Sequence, residues 1–146
     1  MAGVIDAIEG IAALLAGESL TAREAAYRLG SSVETPGHGL PLRVTPKDER
    51  FSAVQVALQT ESDAVSHVEL ELREADRPAV ADLAAAFGQY MAPPRVHADS
   101  PNRLVFRHAV KGTVSNITLI AVVAPCPGDL VDCPVTTVTL RCDAVD

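Results

Sequence analysis

The cysteines are the residues most able to form a covalent bond. Cys126 and Cys133 bound the segment "CPGDLVDCP", and Cys142 follows alone. If the flanking strands pair, the two sulfurs stand at the base of one loop, where a bond would add roughly 2.5 kcal/mol in the chain-entropy model. An odd number of cysteines and an acidic N-terminal segment favour reduced thiols instead. The sequence therefore predicts a cytoplasmic protein, with an exported protein carrying the Cys126–Cys133 disulfide as the alternative.

The histidines and carboxylates do not follow the spacing of a catalytic or metal-binding motif. His38 and His97 fall in predicted loops, whereas His67 and His108 fall on predicted strands. The motifs of zinc proteases, serine hydrolases, dinucleotide-binding loops and P-loops are missing. The sequence predicts no catalytic residue, no metal ligand and no cofactor. One enzymatic alternative stays open, an isomerase-like pocket with Glu69 as base, although three Phe, two Tyr and no Trp leave few aromatic side chains to line it.

Composition restricts the class of partner. The net charge is −7, from 12 basic and 19 acidic residues, and nucleic-acid binding depends on basic side chains that displace counterions from phosphates. No stretch approaches the roughly 20 apolar residues of a membrane span. Asp6 and Glu9 stand where a signal peptide would carry positive charge. We therefore expect a partner that is another protein, rather than nucleic acid or a membrane.

Two helices are predicted at the start of the chain. The first covers residues 1–17, and its apolar residues have helical spacing: Val4, Ile8, Ile11 and Leu15. The second begins with the capping-box pair Thr21 and Glu24, and Gly30 is suited to end it in the left-handed conformation.

Three strands are predicted after the second helix, and three more are predicted after a third helix. The segments "LPLRV" (40–44), "FSAVQVALQ" (51–59) and "VSHVELELR" (65–73) predict three strands after the second helix. A third helix is predicted from a cap at Asp76, with Pro78 in its first turn, and it ends near Phe87 and Gly88 or just beyond. Three more strands are then predicted in "RLVFRHAVK" (103–111), "SNITLIAVV" (115–123) and "VTTVTLRC" (135–142).

These elements predict a single α+β domain over residues 1–146, with helices packed on one face of an antiparallel sheet. It comprises an N-terminal helix (1–17) and two helix-plus-three-strand units (20–73 and 76–142). "LTAREAAYRLG" and "AVADLAAAFG" correspond when Gly30 is matched with Gly88. An internal duplication and two unrelated amphipathic units both explain this likeness. The fold requires Val68, Leu70, Leu72, Leu83 and Phe87 to be buried.

The repeated helix and strand meander, from Leu20 to Cys142, resembles the β-lactamase-inhibitor-protein fold and the related BamE-like domains. "LTAREAAYRLG" and "VADLAAAFG", each with its three following strands, carry the resemblance. The chain differs in having an extra N-terminal helix and few aromatic residues. The resemblance implies a small, non-catalytic domain that binds other proteins across an open sheet.

Charged residues on the polar side of the predicted strands are the candidates for such binding. Period-two spacing places Arg103, Arg107 and Lys111 on one side of their strand. Glu69 and Glu71 give an acidic zone, and Arg141 belongs to the last strand. We therefore predict a protein-binding module such as a toxin-neutralising immunity protein or an effector adaptor; a small-molecule pocket domain and a homo-oligomer are the alternatives.

Overall fold

A computed structural model describes residues 3–17, 21–35, 37, 40–59, 64–93, 101–109 and 115–144. Over these ranges the chain forms three α-helices and eight strands. The helices are α1 (Val4–Gly17), α2 (Ala22–Leu29) and α3 (Val80–Phe87). The strands are β1 (Gly30–Glu34), β2 (Leu42–Pro46), β3 (Phe51–Leu58), β4 (Val65–Leu72), β5 (Tyr90–Met91), β6 (Asn102–Ala109), β7 (Ser115–Val123) and β8 (Val135–Ala144). The predicted α+β class is confirmed.

All eight strands belong to one antiparallel sheet in the order β1-β2-β3-β4-β8-β7-β6-β5. Two meanders, β1 to β4 and β5 to β8, join where β4 pairs with β8. Each meander follows directly on a helix, α2 or α3. The prediction of three strands per unit was therefore wrong: a fourth strand, β1 or β5, follows each helix at an outer edge of the sheet.

The helices cover one face of this sheet. α1 lies over β7 and β8, α2 lies over β1 to β4, and α3 packs against β6. The four apolar residues predicted for the first helix are buried, as are all five residues that the predicted fold required to be buried. Alternate residues of each strand fill this core, so the other face of the sheet carries the remaining side chains.

Local hydrogen bonds define the start of α2. The Thr21 hydroxyl accepts from the Glu24 N–H at 3.1 Å, and the Glu24 carboxylate accepts from the Thr21 N–H at 3.3 Å. The predicted capping box is thus confirmed. Gly30 also follows the helix as predicted, but it is extended (φ −142°) rather than left-handed.

The start of α3 differs from the prediction. Asp76 lies in a short 3-10 turn, and the helix begins at Val80, with the Asp82 carboxylate accepting from the Ala79 N–H at 3.0 Å. Pro78 precedes the helix, and its carbonyl accepts from the Val135 N–H at 2.9 Å. The chain before α3 is extended because it pairs with the start of β8, an interaction that local sequence patterns do not contain.

Candidate functional site

The sheet face away from the helices is called the open face. The register of the strands determines which side chains are neighbours on it. One row of side chains crosses all eight strands, because each residue in it is paired with the next. From the β5 edge to the β1 edge, the row is Met91, Val105, Ile120, Thr139, Glu69, Gln55, Arg43 and Glu34. Its character changes from apolar at one edge to charged at the other.

The described residues predicted to bind a partner all lie on this face, and all are exposed. Arg103 and Arg107 are on β6, Arg141 is on β8, and Glu69 and Glu71 are on β4. Lys111 lies outside the described residues. The acidic and basic residues therefore share one surface.

Register also fixes how far apart the charges stand. Strands β7 and β8 separate β6 from β4, so three strand spacings, roughly 14 Å, lie between the β6 arginines and the β4 glutamates. Arg141 stands between them, paired with His67 on one side and Thr118 on the other. At such separations β4 and β6 present distinct acidic and basic zones rather than a direct ion pair.

An apolar patch lies beside the basic zone, and sequence reasoning missed it. Its members are Met91 on β5, Val105 on β6, and Ile120 and Val122 on β7; we call them the apolar patch. Val105 is paired with both Met91 and Ile120, and Met91 is 62% exposed. The overlooked signal is "ITLIAVV" in β7, which is apolar at nearly every position, as in strands covered on both faces.

The arginines frame this patch. Arg103 is paired with Val122, and Arg107 is paired with Thr118. Thr118 is only 6% exposed although it points to the open face, between Arg107 and Arg141 in the register. The apolar patch thus has cationic side chains along two of its sides.

The described histidines do not meet in one site. His67 is half-buried on the open face, where its ring Nδ1 lies 3.3 Å from the Ser66 hydroxyl. His108 points to the helix face, and its ring centroid lies 4.9 Å from that of Phe87 in an edge-on contact. Within the described ranges, no group of three or more His, Cys, Asp or Glu side chains is placed to hold a metal ion.

Cys126 and Cys133 are joined in the structure, with their Cα atoms 5.8 Å apart. The bridge closes the connection between β7 and β8, as the sequence predicted for the oxidised alternative. Cys133 also binds α3, because its carbonyl accepts from the Val80 N–H at 3.1 Å. The positions of Cys126 and Cys133 fit the disulfide alternative.

No family model matches the chain, and neither curated proteins nor solved structures show significant similarity to it. Among the described helices, none combines the length and apolar character needed to cross a membrane.

Proposed function

We propose that this chain is a protein-binding module that docks its partner on the open face. One observation carries the proposal: the apolar patch and its bordering arginines share the open face, where Met91 and the arginines are exposed and the other patch residues are half-buried. Protein interfaces combine an apolar, desolvated centre with a polar rim, and Met and Arg are enriched in them. An immunity protein or an effector adaptor is the kind of protein that this surface suits.

The charges suggest how a partner would be oriented. The basic zone on β6 would face an acidic strip of the partner, and the acidic zone on β4 would face a basic one. Complementary charge mainly sets orientation and association rate, whereas apolar burial supplies more of the affinity. We therefore propose that the apolar patch holds the partner and that the flanking charges select it.

The test begins with the full chain as bait in its native host, and the captured protein is identified by mass spectrometry. Binding of the purified partner is then measured for an Arg103→Glu/Arg107→Glu variant at low and high salt. We expect association to slow by about tenfold or more at low salt, because the new glutamates would repel the acidic strip of the partner that the arginines attract. Raising the salt should shrink the loss, because screening weakens that repulsion.

A matched control reverses two exposed charges on α2, in the helix layer, Arg23→Glu/Arg28→Glu, and should leave association nearly unchanged. A third variant, Ile120→Glu, places a charge in the apolar patch and should mainly accelerate dissociation. Unchanged binding in both open-face variants, with the fold intact, would exclude this surface as the docking site.

A further inference from the structure

A cavity of about 400 Å³ lies in the helix layer, on the opposite side of the sheet from the open face. It separates α1 from α2, and its floor is formed by Phe51 and Val54 of β3. Its volume falls within the range of small-molecule sites, roughly 300–1,000 Å³. We call it the helix groove.

One wall of the helix groove is a face of α1 that has a glycine, Gly10, near its centre. Ala7, Gly10, Ile11 and Leu14 line it with the spacing of a single helix face. A Cβ atom added at Gly10 would meet no atom within 4 Å. Glycine is unfavourable inside a helix, and here it leaves open the space that a side chain would fill. The groove is thus apolar and accessible at its middle.

The mouth of the groove is cationic. Arg28 and Lys47 both line it. The Lys47 ammonium donates to the Tyr27 carbonyl at 3.4 Å, and the Lys47 N–H donates to the Leu29 carbonyl at 3.1 Å. These bonds hold Lys47 at the end of α2. An ammonium has three donors, so the bond to Tyr27 leaves capacity for an anion.

The acidic residue at the mouth does not cancel this charge. Both Asp48 carboxylate oxygens accept from the Arg50 guanidinium, at 2.8 Å from Nε and 2.6 Å from a terminal nitrogen. The hydrogen bond from Arg50 lowers the pKa of Asp48, so the carboxylate remains ionised and paired. Asp48 therefore does not neutralise the Lys47 ammonium at the opening.

We propose that the helix groove binds a small amphipathic anion, a medium-chain carboxylate, with its alkyl chain along Gly10 and Phe51 and its carboxylate at Lys47. The apolar wall and floor match the chain, and the cationic mouth matches the head group. This site does not depend on the proposed docking function, because none of its lining residues belongs to the open face.

The direct test titrates the full chain with decanoate below its micelle concentration and follows the amides of α1 and β3 by NMR. Decyltrimethylammonium, which has the same tail and a cationic head, is the matched ligand. We expect saturable decanoate binding and affinity for the cation weaker by about tenfold or more. Failure of decanoate to bind, or equal binding of the two ligands, would overturn the proposal.

Gly10→Leu fills the groove without a clash at Cβ and should abolish decanoate binding while the protein remains folded. Ala13→Leu adds similar bulk on an exposed position of the same helix and should bind decanoate as the unmodified chain does. Retained binding in Gly10→Leu, or an equal loss in Ala13→Leu, would show that the anion binds elsewhere.

Lys47→Glu provides a second test that leaves the core unchanged. It should weaken decanoate binding by about tenfold and strengthen binding of the alkylammonium, because the head group would meet the opposite charge. Arg43→Glu, an equal charge reversal on the open face, should change neither. Decanoate affinity that is the same in Lys47→Glu as in the unmodified chain would refute the assignment of the head-group site.

Discussion

Gly30 is the residue at which the chain turns from α2 directly into β1. Its backbone lies so close to β2 that an added Cβ would overlap the Val44 Cγ1 atom and the Thr45 carbonyl oxygen. Its extended φ of −142° is accessible to any residue. Glycine is therefore required for the close approach of two strands and not for its dihedral angles.

We expect Gly30→Ala to lower the free energy of unfolding by about 1–3 kcal/mol, because a methyl group forced into a packed site displaces its neighbours. Gly10→Ala is the matched control. There the new methyl group meets open space, and the helix should be stabilised by roughly 0.5–1 kcal/mol. Urea denaturation of both variants measures the two effects. Equal changes at the two positions would contradict the close approach at Gly30.

Gly30 also shows what a sequence can predict at the residue scale. The Thr21 and Glu24 pattern identified the helix start correctly, because both capping hydrogen bonds form within four consecutive residues. The glycine stop was placed correctly but explained wrongly, since its neighbours in β2 are more than ten residues away in sequence. Gly88 does have the positive φ, 91°, that favours glycine at a helix end.

At the element scale, the connection between β7 and β8 holds the start of α3. The Val80 N–H donates to the Cys133 carbonyl, and the Val135 N–H donates to the Pro78 carbonyl. The Cys126–Cys133 bridge closes this connection. Reduction would therefore loosen the loop and the first turn of α3 together.

We expect reduction, or a Cys126→Ser/Cys133→Ser variant, to lower stability by roughly 2.5 kcal/mol in the chain-entropy model. Hydrogen exchange should show early loss of protection at the Val80 and Val135 amides. Reductant should have no such effect on the double-serine variant. The intact mass of the native protein gives an independent check: a bridged chain is lighter by two protons, and a mass showing three free thiols would be incompatible with the disulfide.

The two strands that were not predicted from the sequence, β1 and β5, were missed for the same physical reason. β1 has the largely polar sequence "GSSVE", and its pairing with β2 shifts register between Gly30 and Ser32. β5 contains just Tyr90 and Met91, too few residues to show a period of two. Both are defined by their neighbours in the sheet. In contrast, β4 and α1 were predicted correctly, because the alternation in β4 and the apolar spacing in α1 each repeat along several residues.

Only part of the open face could be predicted, because the sequence shows the pattern within a strand and not which strands are neighbours. Period-two spacing placed Glu69, Glu71, Arg103 and Arg107 on the polar sides of their strands. The order of the strands decides which of these residues are neighbours, and the pairing of β8 with both β4 and β7 is a long-range property. The apolar patch became visible only when Met91, Val105 and Ile120 were found in one row.

At the scale of the whole molecule, the fold separates two surfaces. The helix layer contains the helix groove, and the open face carries the apolar patch and the charged zones. The sheet and the buried core that it shares with the helices lie between these two surfaces. Changes at Lys47 should therefore leave partner binding unaffected, and changes at Arg103 should leave decanoate binding unaffected, so the two proposals can fail separately.

The two meanders are united by the seam between β4 and β8. There Val68 is paired with Leu140 and Leu70 with Val138, and all four side chains are fully buried. Each half of the sheet would otherwise have a strand edge exposed at its centre. We therefore expect the two halves to unfold together as one cooperative unit.

Leu140→Ala tests this expectation at the seam. The cavity that it leaves should lower the free energy of unfolding by about 2–5 kcal/mol, and both meanders should lose structure in a single transition. Thr139→Ala, on the open face beside it, should change stability by no more than about 0.5 kcal/mol. Tyr27, beside the first meander, and Tyr90, in the second, allow this to be followed by NMR during urea denaturation. Separate midpoints for the two tyrosines would show that the halves are independent, because a continuous sheet with a shared core cannot lose one side of its seam while the other remains packed.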